Sequence, residues 1–280
     1  MIDAKKNKVV LGDYEQNSKK IRINVKRDKD FSVMGEQFIF KILNEYQKPN
    51  FFEQAHFFDK HLFLRTLTHE ATHLASHQSF HITKEESKKH SAYRGGYENN
   101  NNLNEDYPHT HFWGFNEAVV EHTAQNILHE NSLLLNAKFN INVAINIGNS
   151  KKLQGSYKAQ RKVLQNIIYG VAEAQKISPT KVWEKIEKGQ FTGEMMHLRE
   201  IEKVYGSGSL RILASMDASA PTEETKEKYQ NYVDYFDISN NLEERKVIAD
   251  KILKGLHEEE QKAYKNHLEK MEDKTLKKQD

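Results

Sequence analysis

Apolar and polar residues along this chain follow two periods, and the change between them marks out its elements. Ile21-Arg22-Ile23-Asn24-Val25 alternates with period two, and together with Val9-Val10-Leu11-Gly12 it predicts a short pair of strands near the N-terminus. From Val33 to Tyr46 the period becomes helical, with Phe38, Ile39, Ile42 and Leu43 at core spacing and Pro49 closing the segment. Between Phe57 and about Gln78, Leu64, Leu67, Ala71 and Leu74 make the apolar stripe of an amphipathic helix. Ser91 to His111 reads as a loop, because Gly95 and Gly96 break the pattern and Glu98 to Asp106 is mostly asparagine and acid. A second helix is expected from Asn116, a good N-cap residue, through Leu128. Further helical segments follow at Tyr157 to Gln175, Pro179 to Lys188, Glu194 to Tyr205, Pro221 to Phe236 and Leu242 to about Met271. The last of these carries Val247, Ile248, Ile252, Leu256 and Leu268 on one face but is dense in Lys and Glu, so it is expected to pack peripherally.

These elements predict an α+β chain, predominantly helical, with a small N-terminal β-sheet packed on the 57–78 helix and a helical C-terminal lobe. The expected division is 1–131 for the sheet and the first two chemistry-bearing helices, 132–240 for the helical lobe, and 241–280 for a charged amphipathic terminal helix or tail. A length of 280 residues suffices for a sizeable core. The 42 basic side chains nearly balance 40 acidic ones, so the net charge of +2 offers no electrostatic argument for nucleic acid or a membrane surface as partner. The first residues are charged and lack the apolar core of a secretory signal, and no apolar run approaches the ~18 residues needed to span a bilayer. A cytoplasmic protein is expected, and nothing in the pattern specifies its oligomeric state. The absence of cysteine excludes disulfides and thiolate metal sites, so any zinc must be held by His, Asp or Glu.

That restriction directs attention to His69-Glu70-Ala71-Thr72-His73 on the 57–78 helix. Residues four apart share a helix face with Cβ atoms about 5–6 Å apart, close enough for two imidazoles to hold one ion. Glu70 is rotated about 100° from His69, so it flanks the ion and is placed to take a proton from water. With 14 histidines and 28 glutamates in the chain, random order yields this pattern roughly one time in fifteen, so the motif needs a third ligand to carry weight. His77 is excluded because it lies about 12 Å along the helix axis from His69. A third histidine after a glycine turn is excluded because Ser76 and Ser79 occupy the required positions.

The second helix offers Glu117 and Glu121, one turn apart beside Val120, Ala124 and Leu128. Burying an unpaired carboxylate is costly, and a metal with its histidines supplies a partner. Glu117 then serves as third ligand while Glu121 bonds the outer N–H of a ligand histidine. The plainer alternative is two solvated acids favoured by the helix macrodipole.

His69-Glu70-Ala71-Thr72-His73 with Asn116-Glu117-Ala118-Val119-Val120-Glu121 resembles the paired signature of the gluzincin class of zinc metallopeptidases, the thermolysin-like group. The resemblance covers roughly residues 62 to 128 and makes 1–131 a zincin-like catalytic core. It implies a Zn2+ cofactor on His69, His73 and Glu117, Glu70 as general base, Glu121 orienting the first histidine, and a peptide or protein as substrate. It also likens the N-terminal strands to the small sheet whose edge holds an extended peptide in that class. The chain departs from the group in the 44 residues that separate His73 from Glu117, and in lacking a match to its late catalytic histidine. Donors for a tetrahedral oxyanion are sought just before the second ligand helix. Tyr107 is the first choice, with His109 and His111 behind it; Tyr93, Arg94, Tyr97, Tyr157 and His197 are further options. His77, His81, His90, His122 and His129 read as surface or ordinary helix histidines. The same motif would serve a regulatory metallopeptidase dedicated to one protein partner, or a catalytically inactive zinc-bound scaffold, although the intact Glu70 position argues against the last.

Overall fold

The computed structural model describes the backbone of residues 2–3, 8–9, 12–15, 20–26, 29–34, 60–85, 88–101, 109–139 and 157–256, and the side chains of 64–80, 93–100, 110–137 and 157–256. The described elements make an α+β protein that is mostly helical. The chain divides into two compact units, one of residues 1–76 with 120–155 and the other of 77–119 with 156–280.

In the first unit β1 (Ile2–Asp3) pairs with β2 (Lys8–Val9), and β3 (Gly12–Glu15), β4 (Lys20–Lys26) and β5 (Lys29–Met34) form an antiparallel sheet in that order. The period-two segment from Ile21 to Val25 is the central strand β4, opposite Val33 at Ile21 and Phe31 at Ile23. Val33 and Met34 therefore end a strand and do not begin a helix, because alternation through Phe31, Ser32 and Val33 matches the ladder with β4. The rest of the helix expected at 33–46 lies outside the described residues. Helix α1 (Lys60–Ala75) packs beside β3 and β4. Its hydroxyls fold back onto its own carbonyls, Thr68 onto Leu64 O at 2.8 Å, Thr72 onto Thr68 O at 2.8 Å and Ser76 onto Thr72 O at 2.7 Å. The buried hydroxyls of Thr72 and Ser76 are thereby satisfied locally. The unit also takes the second half of α2 (Trp113–Glu130), with Val120, Ala124 and Leu128 buried, and the short α3 (Ser132–Phe139), which the periodicity did not predict.

The second unit contains a four-stranded antiparallel sheet in the order β6 (Gln78–Glu85), β7 (Lys88–Gly95), β8 (Glu98–Asn101), β9 (His109–His111). Much of the segment expected to be a loop at 91–111 is thus strand. Asparagine is a poor strand former, but Asn99, Asn100 and Asn101 pair with β7 on one side and β9 on the other, and ladder bonding overrides propensity. Gly95 opposes Glu98, so Gly96 and Tyr97 form a two-residue turn, and Gly96 adopts the positive φ of 58° this turn requires.

Six helices follow among the described residues: α4 (Lys158–Gln175), α5 (Pro179–Thr192), α6 (Arg199–Tyr205) after a 3-10 turn at Met196–Leu198, α7 (Ser209–Ala214), α8 (Lys226–Tyr235) and α9 (Leu242–Leu253). Two of them, α5 and α9, begin on side-chain caps. Ser178 caps α5 with Pro179 at its first position, Gly193 closes it, and Asn241 with Glu244 forms a capping box on α9. Val163, Leu164, Ile167 and Val171 of α4 are core residues, joined by Val182 and Ile186 of α5, Tyr232 and Phe236, and by Tyr97, Phe115 and Val119. Against expectation, α5 runs a turn beyond Lys188, the 194–205 helix is broken by the 3-10 turn, and the 221–236 helix starts only at Lys226. Residues 257–280 lie outside the described set. Among the described residues no helix is long and apolar enough to cross a membrane.

Candidate metal centre

Arg65, His69 and His73 are spaced by four along α1 and so share one face. Glu121 of α2 meets this face: its Oε2 lies 3.0 Å from His69 Nδ1, and its Oε1 lies 2.6 Å from both Nε and Nη2 of Arg65. Gln125, one turn further along α2, donates to the same Oε1 at 2.7 Å. Arg65, His69 and Glu121 are all buried. Burial by itself pushes the Glu121 carboxyl up, but the hydrogen bonds and charges of His69 and Arg65 outweigh it and hold the group below the usual carboxylate range. Glu121 is therefore an acceptor-only anion at neutral pH, and a 3.0 Å contact to it requires the proton of His69 on Nδ1. In the neutral ring, the form that can ligate a metal, the lone pair of His69 is then on Nε2.

That Nε2 lies 3.2 Å from Nε2 of His73, with the two rings edge to face at 71°. Two imidazole ligands at 2.0–2.1 Å on one tetrahedral ion stand about 3.4 Å apart, so the observed separation suits a shared ion. Glu117 sits one turn before Glu121 on the same unbroken helix. One ligand atom from each of His69, His73 and Glu117 lies within 4.8 Å of the others, a group that could hold a metal ion. His69 and Glu117 are buried and His73 is half-buried. Glu70, next to His69 on α1, is buried as well.

Helix α2 starts earlier than expected. Phe112 takes a positive φ of 61°, the helix begins at Trp113, and Asn116 lies inside the first turn and does not cap it. The N–H groups of Phe112 and Gly114 bond Ala214 O and Met216 O, each at 2.8 Å. A Cβ on Gly114 would run into the Met216 and Asp217 carbonyls, so only glycine permits this approach.

The remaining candidates distribute as follows. Tyr107 lies outside the described residues, and of His109 only the backbone, in β9, is described. His111 is half-buried in β9 and is not in the ligand group. Tyr97 is fully buried in the core, its hydroxyl donating to Ile186 O at 2.6 Å and contacting His197 Nε2 at 2.6 Å, so it is a packing residue. Burial lowers the His197 imidazole to about 4, with Glu194 opposing and Lys185 and Arg94 adding to the shift. His77 bonds through its backbone to Gln190 and Gly96, with its ring under Gly193. Arg65 and Gln125 are participants that motif reasoning missed; their signals are their positions, four residues before His69 and four after Glu121. Comparison with protein-family models, curated proteins and solved structures gives no match.

Proposed function

We propose that the chain is a zinc-dependent metallopeptidase of the gluzincin kind, hydrolysing peptide bonds with Glu70 as general base. The observation that carries this reading is the convergence of His69, His73 and Glu117 ligand atoms within 4.8 Å, on the two helices that bear the paired motif. Two imidazoles and a carboxylate with no thiolate suit zinc, and three protein ligands leave a fourth position for water. When bound, zinc supplies Lewis-acid polarisation of the scissile carbonyl and acidifies water at the site. Glu121 keeps the His69 proton on Nδ1 and so presents Nε2 for ligation, and Arg65 keeps Glu121 anionic. Glu70 accepts a proton from the attacking water and returns it to the leaving amine as the C–N bond breaks.

The test is metal analysis and peptide-library hydrolysis with purified protein. Wild type is expected to hold an equimolar amount of zinc. Glu70→Gln keeps the metal but loses turnover by about 10²–10⁴-fold, the usual worth of general acid–base catalysis. His73→Ala loses the metal. Unchanged turnover in Glu70→Gln would overturn the mechanism, and tight zinc with no cleavage of any peptide would favour an inactive scaffold.

A further inference from the structure

Asn116, immediately before the Glu117 ligand, is almost fully buried, and its side chain is committed to neither the metal group nor the helix cap. Its Oδ1 accepts two hydrogen bonds, from the Tyr97 backbone N–H at 3.1 Å and from Gln190 Nε2 at 3.0 Å. The donors come from the β7–β8 turn and from α5, elements distant in sequence from α2. Gly96 makes the approach possible, since a Cβ there would lie 2.6 Å from Asn116 Oδ1 and 2.6 Å from Gln190 Cδ. With the Phe112 and Gly114 backbone bonds, the first turn of α2 is held at three places before the chain reaches Glu117.

Resting on the metallopeptidase reading above, we infer that Asn116 is a positioning residue for the metal: clamped by Gln190 and the Gly96–Tyr97 turn, it sets the rotation of α2 that aims the Glu117 carboxylate. The lever is large. A side-chain end on a helix lies about 5–6 Å from its axis, so a 20° rotation moves a carboxylate by about 2 Å, as far as a whole ligand bond. The helix macrodipole lies along the axis and does not resist rotation about it, whereas two directional hydrogen bonds to one side-chain oxygen add an angular constraint to the packing of Phe115 and Val119. Asn116 acts through Glu117 and touches no reacting atom.

The test compares Asn116→Ala, Asn116→Asp and Gln190→Ala with wild type. It measures zinc affinity by chelator competition, the visible spectrum of the Co2+-substituted proteins, and the unfolding midpoint of the metal-free proteins. Asn116→Ala is expected to weaken zinc by about 10–100-fold, the range for residues that orient ligands, and to alter the cobalt bands. Gln190→Ala weakens zinc at least about fivefold, by loss of one of the two bonds. Asn116→Asp keeps an oxygen acceptor for both donors and retains affinity within about threefold. A purely structural role would lower the unfolding midpoint and leave affinity and spectrum unchanged. That result in Asn116→Ala, or in Gln190→Ala should Asn116→Ala fail to fold, overturns the inference, as does equal loss of affinity in Asn116→Asp. Failure of wild type itself to bind zinc or cobalt overturns the metallopeptidase reading and is seen before any variant is made.

Discussion

Replacing Glu121 by glutamine tests the electrostatic logic of the centre with almost no change of shape. The carboxylate serves three neighbours at once, Oε2 facing His69 Nδ1 at 3.0 Å and Oε1 facing the Arg65 guanidinium at 2.6 Å and the Gln125 amide at 2.7 Å. An amide has one oxygen and one NH2, so only one side keeps an acceptor. If the oxygen stays with Arg65, the NH2 faces His69 Nδ1 and forces the ring into the other tautomer. The proton then sits on Nε2, the atom that faces His73, and His69 cannot ligate until it is driven back. If the NH2 turns to Arg65, two donors oppose each other in a buried site. Either way the anion next to Arg65 is gone. Removing one partner of a buried ion pair costs about 3–5 kcal/mol, and because the amide keeps one hydrogen bond the lower end applies, about 3 kcal/mol. That is a large part of the 5–15 kcal/mol that holds a typical protein together. Metal affinity falls by about 10–100-fold as the orienting contact is lost. The assays are urea unfolding of the metal-free protein and zinc competition against a chelator. Glu121→Gln protein with stability within about 0.5 kcal/mol of wild type, the range of an ordinary surface change, and with unaltered zinc affinity would refute the reasoning.

Two further outcomes follow from the helical unit. The His197 imidazole titrates near 4 in the folded state against about 6.5 unfolded, so between these values the unfolded chain binds the extra proton. Stability is therefore fully present above about pH 6.5 and falls as pH drops toward 4. A fully sheltered ring would contribute about 3 kcal/mol over this window, which solvent screening of a half-buried one reduces to about 1–2 kcal/mol; urea midpoints measured from pH 4 to 7 should lose that slope in His197→Gln, and an identical slope in the variant counts against it. Gly193→Ala places a Cβ on a residue with φ of 79°, about 2.6–2.8 Å from the His77 ring, and is expected to cost about 2 kcal/mol or more from left-handed strain and the clash. A calorimetric melting temperature equal to that of wild type would contradict it.

The parts of this chain that were legible from residue order are those whose geometry is local. An i, i+4 spacing is a property of one helix, so His69, His73, Glu117 and Glu121 could be assigned to two helix faces without knowing where either helix lies. Patterns that depend on neighbours were harder. The Asn99–Asn101 strand has no strand propensity of its own and exists through its pairing with β7 and β9. By periodicity Val33 belongs with the apolar residues that follow it, whereas in the sheet its partner is Ile21. Asn116 looked like a helix cap because asparagine before a helical pattern usually is one; its oxygen instead goes to Tyr97 and Gln190.

For the centre itself, residue order alone supplied the donor types and their spacing, and the lack of cysteine narrowed the ligands to imidazole and carboxylate. Folding supplied the rest: which ring nitrogen of His69 carries the proton, what holds Glu121 anionic, and how the turn before Glu117 is anchored. These depend on contacts between residues 52, 56 and 74 positions apart. A helical period fixes the face on which a side chain lies, but not which side chain from a distant segment will meet it. Protonation and the orientation of a buried side chain are set by that meeting.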